Sequence, residues 1–206
     1  MAFSQKLVVI GSSSGGPKIL RQLLTELPVV DACILIVQHM PKYINESVRK
    51  SLEKVTEMDV RLVKDGDSLK DNTIFLAPSE VHTVLENNRK LKLVEGEKVN
   101  FVRPSIDLTM QSLKSRPRLL TIGAILTGMG KDGAEGIRHI KRLEGKTIAQ
   151  NEQTSIIYGM PHAAIKTGDI DYVLDPQGAA RKIAELLESN CKQVESGRNA
   201  PTSMAG

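Results

Sequence analysis

The chain has 206 residues, of which 40% are hydrophobic and 25% are charged, and its formal net charge is +4. These values are typical of a globular protein that is long enough to bury a substantial core. Aromatic residues make up only 3% of the chain and tryptophan does not occur, which argues against an aromatic platform for single-stranded nucleic acid. Lysines and arginines are scattered along predicted helices, so we expect solvated faces and no nucleic-acid partner.

Cysteine usage and hydropathy bear on the compartment in which the chain works. The two cysteines, Cys33 and Cys191, show no metal-ligand spacing such as C-x-x-C, and Cys33 lies in an apolar run typical of a buried strand. The sequence contains neither a signal peptide nor an apolar stretch near the ~18 residues of a membrane span. We therefore expect a reducing, cytoplasmic location and no direct membrane insertion.

Apolar runs of strand length alternate with helical periodicity along most of the chain. The predicted strands are 6–11, 33–37, 73–77, 119–126, 146–150 and 170–174. The predicted helices are 17–27, 43–57, 105–115, 131–143, 161–167 and 177–188. This alternation predicts an α/β fold with a doubly wound, mostly parallel sheet and helices on both of its faces. Two short segments separated by a polar turn predict a β-hairpin inserted near residues 80–94.

The domain organisation is simple. We find no internal repeat and no internal linker, so we expect one domain over residues 1–190. The last segment, 191–206, is dominated by small and polar residues, which predicts a disordered tail.

Three predicted strands end in loops that carry chemically useful side chains. The serines at 12–14 follow the first strand, His39 follows the second, and Asp132 lies in the loop after the fourth. Because the carboxyl ends of parallel strands share one edge of a sheet, we expect these side chains to meet in the crevice there. Serine, histidine and aspartate form a nucleophile, a general base and an orienting acid. Their order differs from the Ser–Asp–His order of α/β-hydrolases.

Each of these residues also has an ordinary structural explanation. The serines at 12–14 could cap the first helix, His39 could be a hydrogen-bonded loop residue, and Asp132 could cap the helix predicted at 131–143. The residues alone leave both explanations open. The other histidines fall on the predicted hairpin or on helices, and we interpret them as structural or surface residues. They are His82, His139 and His162.

The first loop matches two phosphate-binding motifs only in part. The run from Gly11 to Lys18 resembles a P-loop, but Pro17 interrupts it and Ile19 stands where serine or threonine belongs. The dinucleotide fingerprint G-x-G-x-x-G fails because position 13 is serine. A phosphate could still bind at a helix N-terminus, so a phosphate-binding module stays as a minor alternative.

Six motifs, taken together and in order, resemble the catalytic domain of the chemotaxis protein-glutamate methylesterases (CheB type). They are IGSSSGGP at 10–17, QHMP at 38–41, PSID at 104–107, LTGMGKDGAEG at 126–136, IAQNE at 148–152 and YGMP at 158–161. Each motif is weak alone, but six in order are specific. The resemblance covers about residues 6 to 188.

The resemblance implies that Ser13 is the nucleophile, His39 the general base and Asp132 the orienting acid. It also implies an oxyanion and cleft group, made of Ser14, Gly15, Gly16 and Met129. The implied reaction is hydrolysis of glutamate γ-methyl esters on the cytoplasmic helices of a methylated chemoreceptor, through an acyl-enzyme. Glutamine deamidation is a related activity of many members, and no metal or cofactor is required.

The chain departs from the family pattern at several places. Ser12 and Ser14 stand where the family has alanine and threonine, Tyr158 stands where it has phenylalanine, and the segment 143–147 is shortened. The family's phosphorylatable receiver domain is not seen in this sequence, so a receiver domain or another chemotaxis regulator is an expected partner. The alternative function is a catalytically silent, receptor-binding adaptor with the same fold.

Overall fold

Strands and helices alternate in the computed structural model, which describes residues 5–196. The strands are β1 (Lys6–Ser12), β2 (Cys33–Gln38), β3 (Asp59–Leu62), β4 (Thr73–Leu76), β5 (His82–Glu86), β6 (Lys90–Val94), β7 (Leu120–Ile125), β8 (Lys146–Gln150) and β9 (Tyr172–Leu174). The helices are α1 (Gly16–Glu26), α2 (Asn45–Glu53), α3 (Ile106–Gln111), α4 (Ala134–Arg142), α5 (Gly159–Ile165) and α6 (Pro176–Ser196). A short 3-10 helix, Lys42–Ile44, directly precedes α2.

Seven parallel strands of the described chain form one sheet in the order β3-β4-β2-β1-β7-β8-β9. Strands β5 and β6 form a separate antiparallel pair. The doubly wound parallel sheet and the hairpin near residues 80–94 are therefore confirmed. The connections that follow β1 and β7 lead to opposite sides of the sheet. This arrangement opens a crevice at the carboxyl ends of these two neighbouring strands.

Both faces of the sheet are covered, which explains the continuous apolar runs of the central strands. On β1, Val8 and Ile10 pack with side chains of α1, α2 and α6, whereas Leu7 and Val9 pack with side chains of α3, α4, α5 and the hairpin. Complete burial of such an aliphatic side chain stabilises a fold by roughly 1.5–3 kcal/mol. The two apolar layers thus hold the strand ends, and the loops that follow them, in a fixed relation.

The predicted and observed elements differ at some boundaries and in one strand. The strand β3 was not predicted, because only Val60 of its four residues is buried and the segment lies at the edge of the sheet. Helix α2 ends at Glu53 rather than at 57, and α6 continues to Ser196, past its predicted end at 188. The rest of the predicted tail, 197–206, lies outside the described residues. No helix between residues 5 and 196 has both the length and the hydropathy needed to cross a membrane.

Candidate active site

The loop after β1 presents three serines in three different environments. Ser12 ends the strand and is fully buried, and its Oγ donates to Gln38 Oε1 at 2.7 Å. Ser13 is half-buried, its N–H donates to the Thr127 carbonyl at 2.9 Å, and its Oγ has no hydrogen-bond partner among the described residues. Ser14 is exposed. The Ser12 hydroxyl is therefore engaged in the interior, whereas the Ser13 hydroxyl is available at the sheet edge.

None of these serines caps the helix that follows. The N-cap residue of α1 is Gly15, and among the described residues no serine side chain makes a cap hydrogen bond to this helix. Gly15 has a φ of 80°, and a Cβ placed on it would lie 2.6 Å from Ile156 Cδ1. Glycine thus makes both the left-handed turn and the close approach possible. The capping explanation for the serine loop is wrong.

Gln38 joins the loops that follow β1 and β2. Its Nε2 donates to the carbonyl of Ser13 at 2.9 Å and to the carbonyl of His39 at 2.7 Å, and its side chain is buried. The His39 N–H donates to the Ser12 carbonyl at 3.0 Å. The backbone segments that carry Ser13 and His39 are therefore linked by hydrogen bonds. Gln38 belongs to the QHMP motif, but no role was predicted for it.

His39 and Asp132, which are 93 positions apart, form a buried pair. His39 Nε2 lies 2.9 Å from Asp132 Oδ2, and both side chains are largely buried. The other ring nitrogen, Nδ1, is buried and has no hydrogen-bond partner within residues 5–196. A neutral imidazole with its proton on Nε2 donates to Asp132 and keeps a lone pair on Nδ1. This geometry makes Nδ1 the nitrogen that can accept a proton.

The carboxylate of Asp132 accepts hydrogen bonds from the beginning of α3. The Ile106 N–H donates to it at 2.7 Å, the Asp107 N–H at 3.2 Å and the Ser105 Oγ at 2.9 Å. Burial alone would raise the pKa of Asp132, but the hydrogen bonds from His39 and from the Ile106 N–H outweigh it and hold the pKa below its usual value. The group is therefore ionised at neutral pH, as an orienting acid requires.

Asp132 does not cap the helix that follows it in sequence. Helix α4 begins after its N-cap residue Gly133, and within the described residues the Asp132 carboxylate accepts no N–H group of this helix. The explanation of Asp132 as a cap of its own helix is wrong, because its oxygens face the N–H groups of α3 instead.

A second buried aspartate, Asp107, faces Asp132. Its Oδ1 accepts from the N–H groups of Gly133 at 2.9 Å and Gly136 at 2.7 Å, at the beginning of α4. Asn100 Nδ2 donates to Asp107 Oδ2 at 2.8 Å and to Asp132 Oδ1 at 3.1 Å. Burial and, to a smaller extent, the charge of Asp132 raise the pKa of Asp107 to about 6. The hydrogen bond from the Gly136 N–H opposes this increase.

This network was not predicted from the sequence. Ser105 and Asp107 stand in the PSID motif without an assigned role, and Asn100 stands outside every motif. A local signal exists only for Ser105, which is the N-cap of α3 and accepts from the Leu108 N–H. The contacts of Asn100 and Asp107 with Asp132 span 32 and 25 positions and leave no local pattern.

Of the four residues predicted to form the oxyanion and cleft group, three have a backbone N–H without an acceptor in the described chain. The Gly16 N–H donates to the Ser13 carbonyl at 2.8 Å and is therefore occupied. The N–H groups of Ser14, Gly15 and Met129 have no acceptor between residues 5 and 196. These three amides are the candidates for stabilising a negative oxygen near Ser13.

The loop after β7 touches the loop that carries Ser13. A Cβ placed on Gly128 would lie 2.8 Å from Ser13 Cβ, so the two backbones approach closely. Thr127 Oγ1 donates to the Ser14 carbonyl at 3.1 Å and accepts from the Ile157 N–H at 2.9 Å. Met129, which follows Gly128 directly, is 77% exposed. The structure thus brings the serine loop, the LTGMG loop and the segment before α5 together.

The remaining histidines behave as predicted, as structural or surface residues. His82 is buried, its Nδ1 accepts from the Ser105 N–H at 3.1 Å, and its Nε2 lies 2.9 Å from the Glu97 carbonyl. His139 Nε2 lies 2.7 Å from the Leu113 carbonyl. His162 is exposed and stacks on the ring of Tyr158. Within residues 5–196, no group of three or more His, Cys, Asp or Glu side chains is placed to hold a metal ion.

The chain is similar to known proteins in sequence and in fold. The family model described as CheB methylesterase matches residues 8–183. A protein-glutamate methylesterase/protein-glutamine glutaminase of Haloarcula marismortui is 42% identical over 185 residues, which cover 87% of this chain and 50% of the relative. A protein of the same name from Thermotoga maritima is 38% identical over 190 residues, which cover 90% of this chain and 55% of the relative.

A solved structure extends the comparison to the fold. The crystal structure of the Thermotoga maritima CheB methylesterase catalytic domain superposes with a TM-score of 0.83 at 37% identity. The match covers 88% of this chain and 98% of that chain. The chain spans about half the length of the curated relatives that it matches.

Proposed function

The chain belongs to the CheB methylesterase family, and from this membership we propose that it hydrolyses glutamate γ-methyl esters in a protein substrate. The observation that carries the proposal is the His39–Asp132 pair, in which Nε2 is bound and the buried Nδ1 meets no hydrogen-bond partner in the described part of the chain. A base held in this way, beside a loop with an available serine hydroxyl, suits acyl transfer. Several relatives are named protein-glutamate methylesterase/protein-glutamine glutaminase.

We further propose that the substrate is the helical cytoplasmic part of a methylated chemoreceptor. Glutamine deamidation at the same site is the related second reaction, as the names of the relatives indicate. A receiver domain or another chemotaxis regulator is the proposed partner in control, since relatives extend well beyond the length that this chain matches.

The first half of the reaction forms an acyl-enzyme. Ser13 Oγ attacks the ester carbonyl carbon while His39 Nδ1 takes the hydroxyl proton, and the carbonyl oxygen becomes negative. The carboxylate of Asp132 stabilises the imidazolium through Nε2 and does not itself accept the proton. The bond to the methoxy group then breaks, and Nδ1 gives its proton to the departing oxygen, so methanol leaves. A proton transfer of this kind contributes roughly 10²–10⁴ in rate.

The second half restores the enzyme. A water molecule loses its proton to His39 Nδ1 and attacks the acyl carbon, and the bond to Ser13 Oγ breaks as that oxygen recovers the proton. The products are a glutamate γ-carboxylate and free Ser13; a glutamine substrate would release ammonia instead of methanol. The free N–H groups of Ser14, Gly15 or Met129 are proposed to bind the negative oxygen in both halves. Loss of one such donor typically lowers turnover by roughly 10²–10³.

The proposal is tested by methanol release from methylated receptor cytoplasmic fragments, measured for the wild type beside Ser13→Ala. We expect release by the wild type, no release by Ser13→Ala, and equal binding of the receptor fragment by both proteins. Binding by the wild type without release would favour the alternative of a silent adaptor. Undiminished release by Ser13→Ala would contradict the assignment of the nucleophile.

A further inference from the structure

Asn100 lies in a tight two-residue turn beside the candidate site. Val99 and Val102 exchange two backbone hydrogen bonds, at 3.1 and 3.0 Å. The two residues between them, Asn100 and Phe101, have φ values of 53° and 66°. Two successive positive φ values are typical of a type I′ turn, in which asparagine is favoured. The turn fixes the backbone of Asn100 close to the beginnings of α3 and α4.

The carboxamide of Asn100 lies between two carboxylates. Its Nδ2 donates to Asp107 Oδ2 at 2.8 Å and to Asp132 Oδ1 at 3.1 Å. An amide NH₂ carries two hydrogens, which is one for each carboxylate. Both neighbours are acceptors, so the amide oxygen cannot take this place, and the chemistry fixes which end of the amide faces the pair.

Two neighbouring buried carboxylates oppose each other's ionisation. Asp107 and Asp132 are 5% and 3% exposed, so water screens their repulsion poorly. Asp107 already shows this effect, because burial and the charge of Asp132 raise its pKa to about 6. A donor shared by both groups lowers the cost of keeping Asp132 ionised. The same bond limits rotation of the Asp132 side chain away from His39.

We propose that Asn100 is a positioning residue for the reaction, since its carboxamide holds Asp132 in its orientation toward His39 and separates Asp132 from Asp107. The proposal rests on the proposed function, in which Asp132 is the orienting acid. Asn100 acts through Asp132 and not on the reacting atoms, so its loss should lower kcat and leave KM unchanged.

The positive φ of Asn100 in its turn does not by itself explain the hydrogen bonds of Asn100 with Asp107 and Asp132. Asn87 has a φ of 52° in the turn between β5 and β6, but it is exposed and makes no side-chain hydrogen bond within the described chain. A positive φ therefore does not require the side-chain contacts that Asn100 makes. The change Asn87→Gly removes the same side chain in the same backbone region and is the matched control.

The kinetic test compares Asn100→Gly with Asn87→Gly. Glycine tolerates the positive φ of both positions, so each variant loses only its side chain. We expect Asn100→Gly to lower kcat for methanol release by up to roughly 10²-fold, as a small misplacement of a catalytic group does. We expect no change in KM, and no change in either constant for Asn87→Gly. An unchanged kcat in Asn100→Gly, or an equal loss in both variants, would overturn the proposal.

A second measurement does not depend on activity. Proton NMR should show a low-field resonance from the His39 N–H bonded to Asp132, identified by its absence in His39→Gln. This resonance should shift or disappear in Asn100→Gly and persist in Asn87→Gly. Persistence in a folded Asn100→Gly would overturn the proposal. If the wild type released no methanol but the resonance responded as expected, the proposed function would fail while the positioning contact stood.

A further variant covers the case in which Asn100→Gly does not fold. In Asp107→Asn the amide oxygen must face Gly133 and Gly136 N–H, so its NH₂ meets the NH₂ of Asn100. Asn100 must then turn away from Asp132. The same loss of kcat and the same change in the resonance are expected, and their absence would contradict the proposal.

Discussion

Asp132 accepts N–H groups at the beginning of the helix that contains Asp107, and Asp107 accepts N–H groups at the beginning of the helix that follows Asp132. Asp132 receives the Ile106 N–H and the Asp107 N–H, and Asp107 receives the Gly133 N–H and the Gly136 N–H. The helix beginnings and the two carboxylates thus support one another. Asp132, which is proposed to orient His39, is held by the beginning of α3. Asp107 of α3 in turn holds the loop that carries Asp132.

The first prediction concerns Asp132→Asn. The amide can present an oxygen or an NH₂ to His39, but it has no charge to stabilise an imidazolium and it disturbs the tautomer. We expect kcat for methanol release to fall by roughly 10⁴-fold, by analogy with the corresponding change in serine proteases. Steady-state kinetics on methylated receptor fragments provide the measurement. A loss below about tenfold would show that Asp132 does not orient the base.

The second prediction concerns Asp107 and the pH dependence of stability. Its pKa in the fold is about 6, above the usual value, so between these two values the folded state binds more protons than the unfolded state. Through this group, stability rises as the pH falls from about 7 to about 5. Asp132 has a lowered pKa and makes the opposite contribution, which is lost only as the pH falls further, through its folded pKa.

Urea unfolding of the wild type and Asp107→Asn, across that pH range, isolates the contribution of Asp107. The unfolding free energy of the wild type should increase relative to that of Asp107→Asn as the pH falls. A difference that does not depend on pH would contradict a raised pKa at Asp107.

The third prediction separates the neighbouring serines. The Ser12 hydroxyl is buried and donates to Gln38 Oε1, so Ser12→Ala leaves a buried acceptor without this donor. We expect a loss of unfolding free energy of about 1–3 kcal/mol with methanol release retained. Chemical denaturation and the methanol assay on the same preparation test both parts. Complete loss of turnover in a folded Ser12→Ala would argue that Ser12, and not Ser13, is the nucleophile.

The fourth prediction concerns Gly15, with Gly66 as its matched control. The two glycines have φ values of 80° and 83°, but a Cβ on Gly15 would lie 2.6 Å from Ile156, whereas a Cβ on Gly66 would meet nothing within 4 Å. Gly66→Ala should show only the backbone penalty of about 1–2 kcal/mol. Gly15→Ala should lose about 1–3 kcal/mol more and should also lower turnover, because the Ser14 and Gly15 amides shift. Equal stability losses would show that the contact with Ile156 relaxes freely.

Much of the fold could be predicted from the sequence because its signals are local. The runs that form β1 and β2 are buried on both faces and therefore read as continuous apolar segments. Their alternation with helical patterns predicted a parallel sheet. The same reasoning predicted that Ser13, His39 and Asp132, each of which follows a strand, lie at one edge of the sheet. The strand β3 escaped detection because a short edge strand with one buried residue has almost no apolar pattern.

The support of the site could not be predicted in this way. Asp132 stands before α4, so a local rule left open that it caps that helix, but in the folded chain its oxygens accept N–H groups of α3. Asn100 lies between two carboxylates only because folding brings Asp132, 32 positions away, beside it and beside Asp107. Such contacts depend on tertiary packing, and one sequence carries no periodicity that reveals them.

The most direct test of the account is chemical identification of the acylated residue. Methylated receptor fragment is mixed with the wild type, the reaction is quenched in acid during turnover, and the peptide that carries the three serines is sequenced by mass spectrometry. The account predicts a glutamyl ester on Ser13, with none on Ser12 or Ser14, and no adduct in the Ser13→Ala variant. An adduct on Ser12 or Ser14, or one that persists in Ser13→Ala, would contradict it.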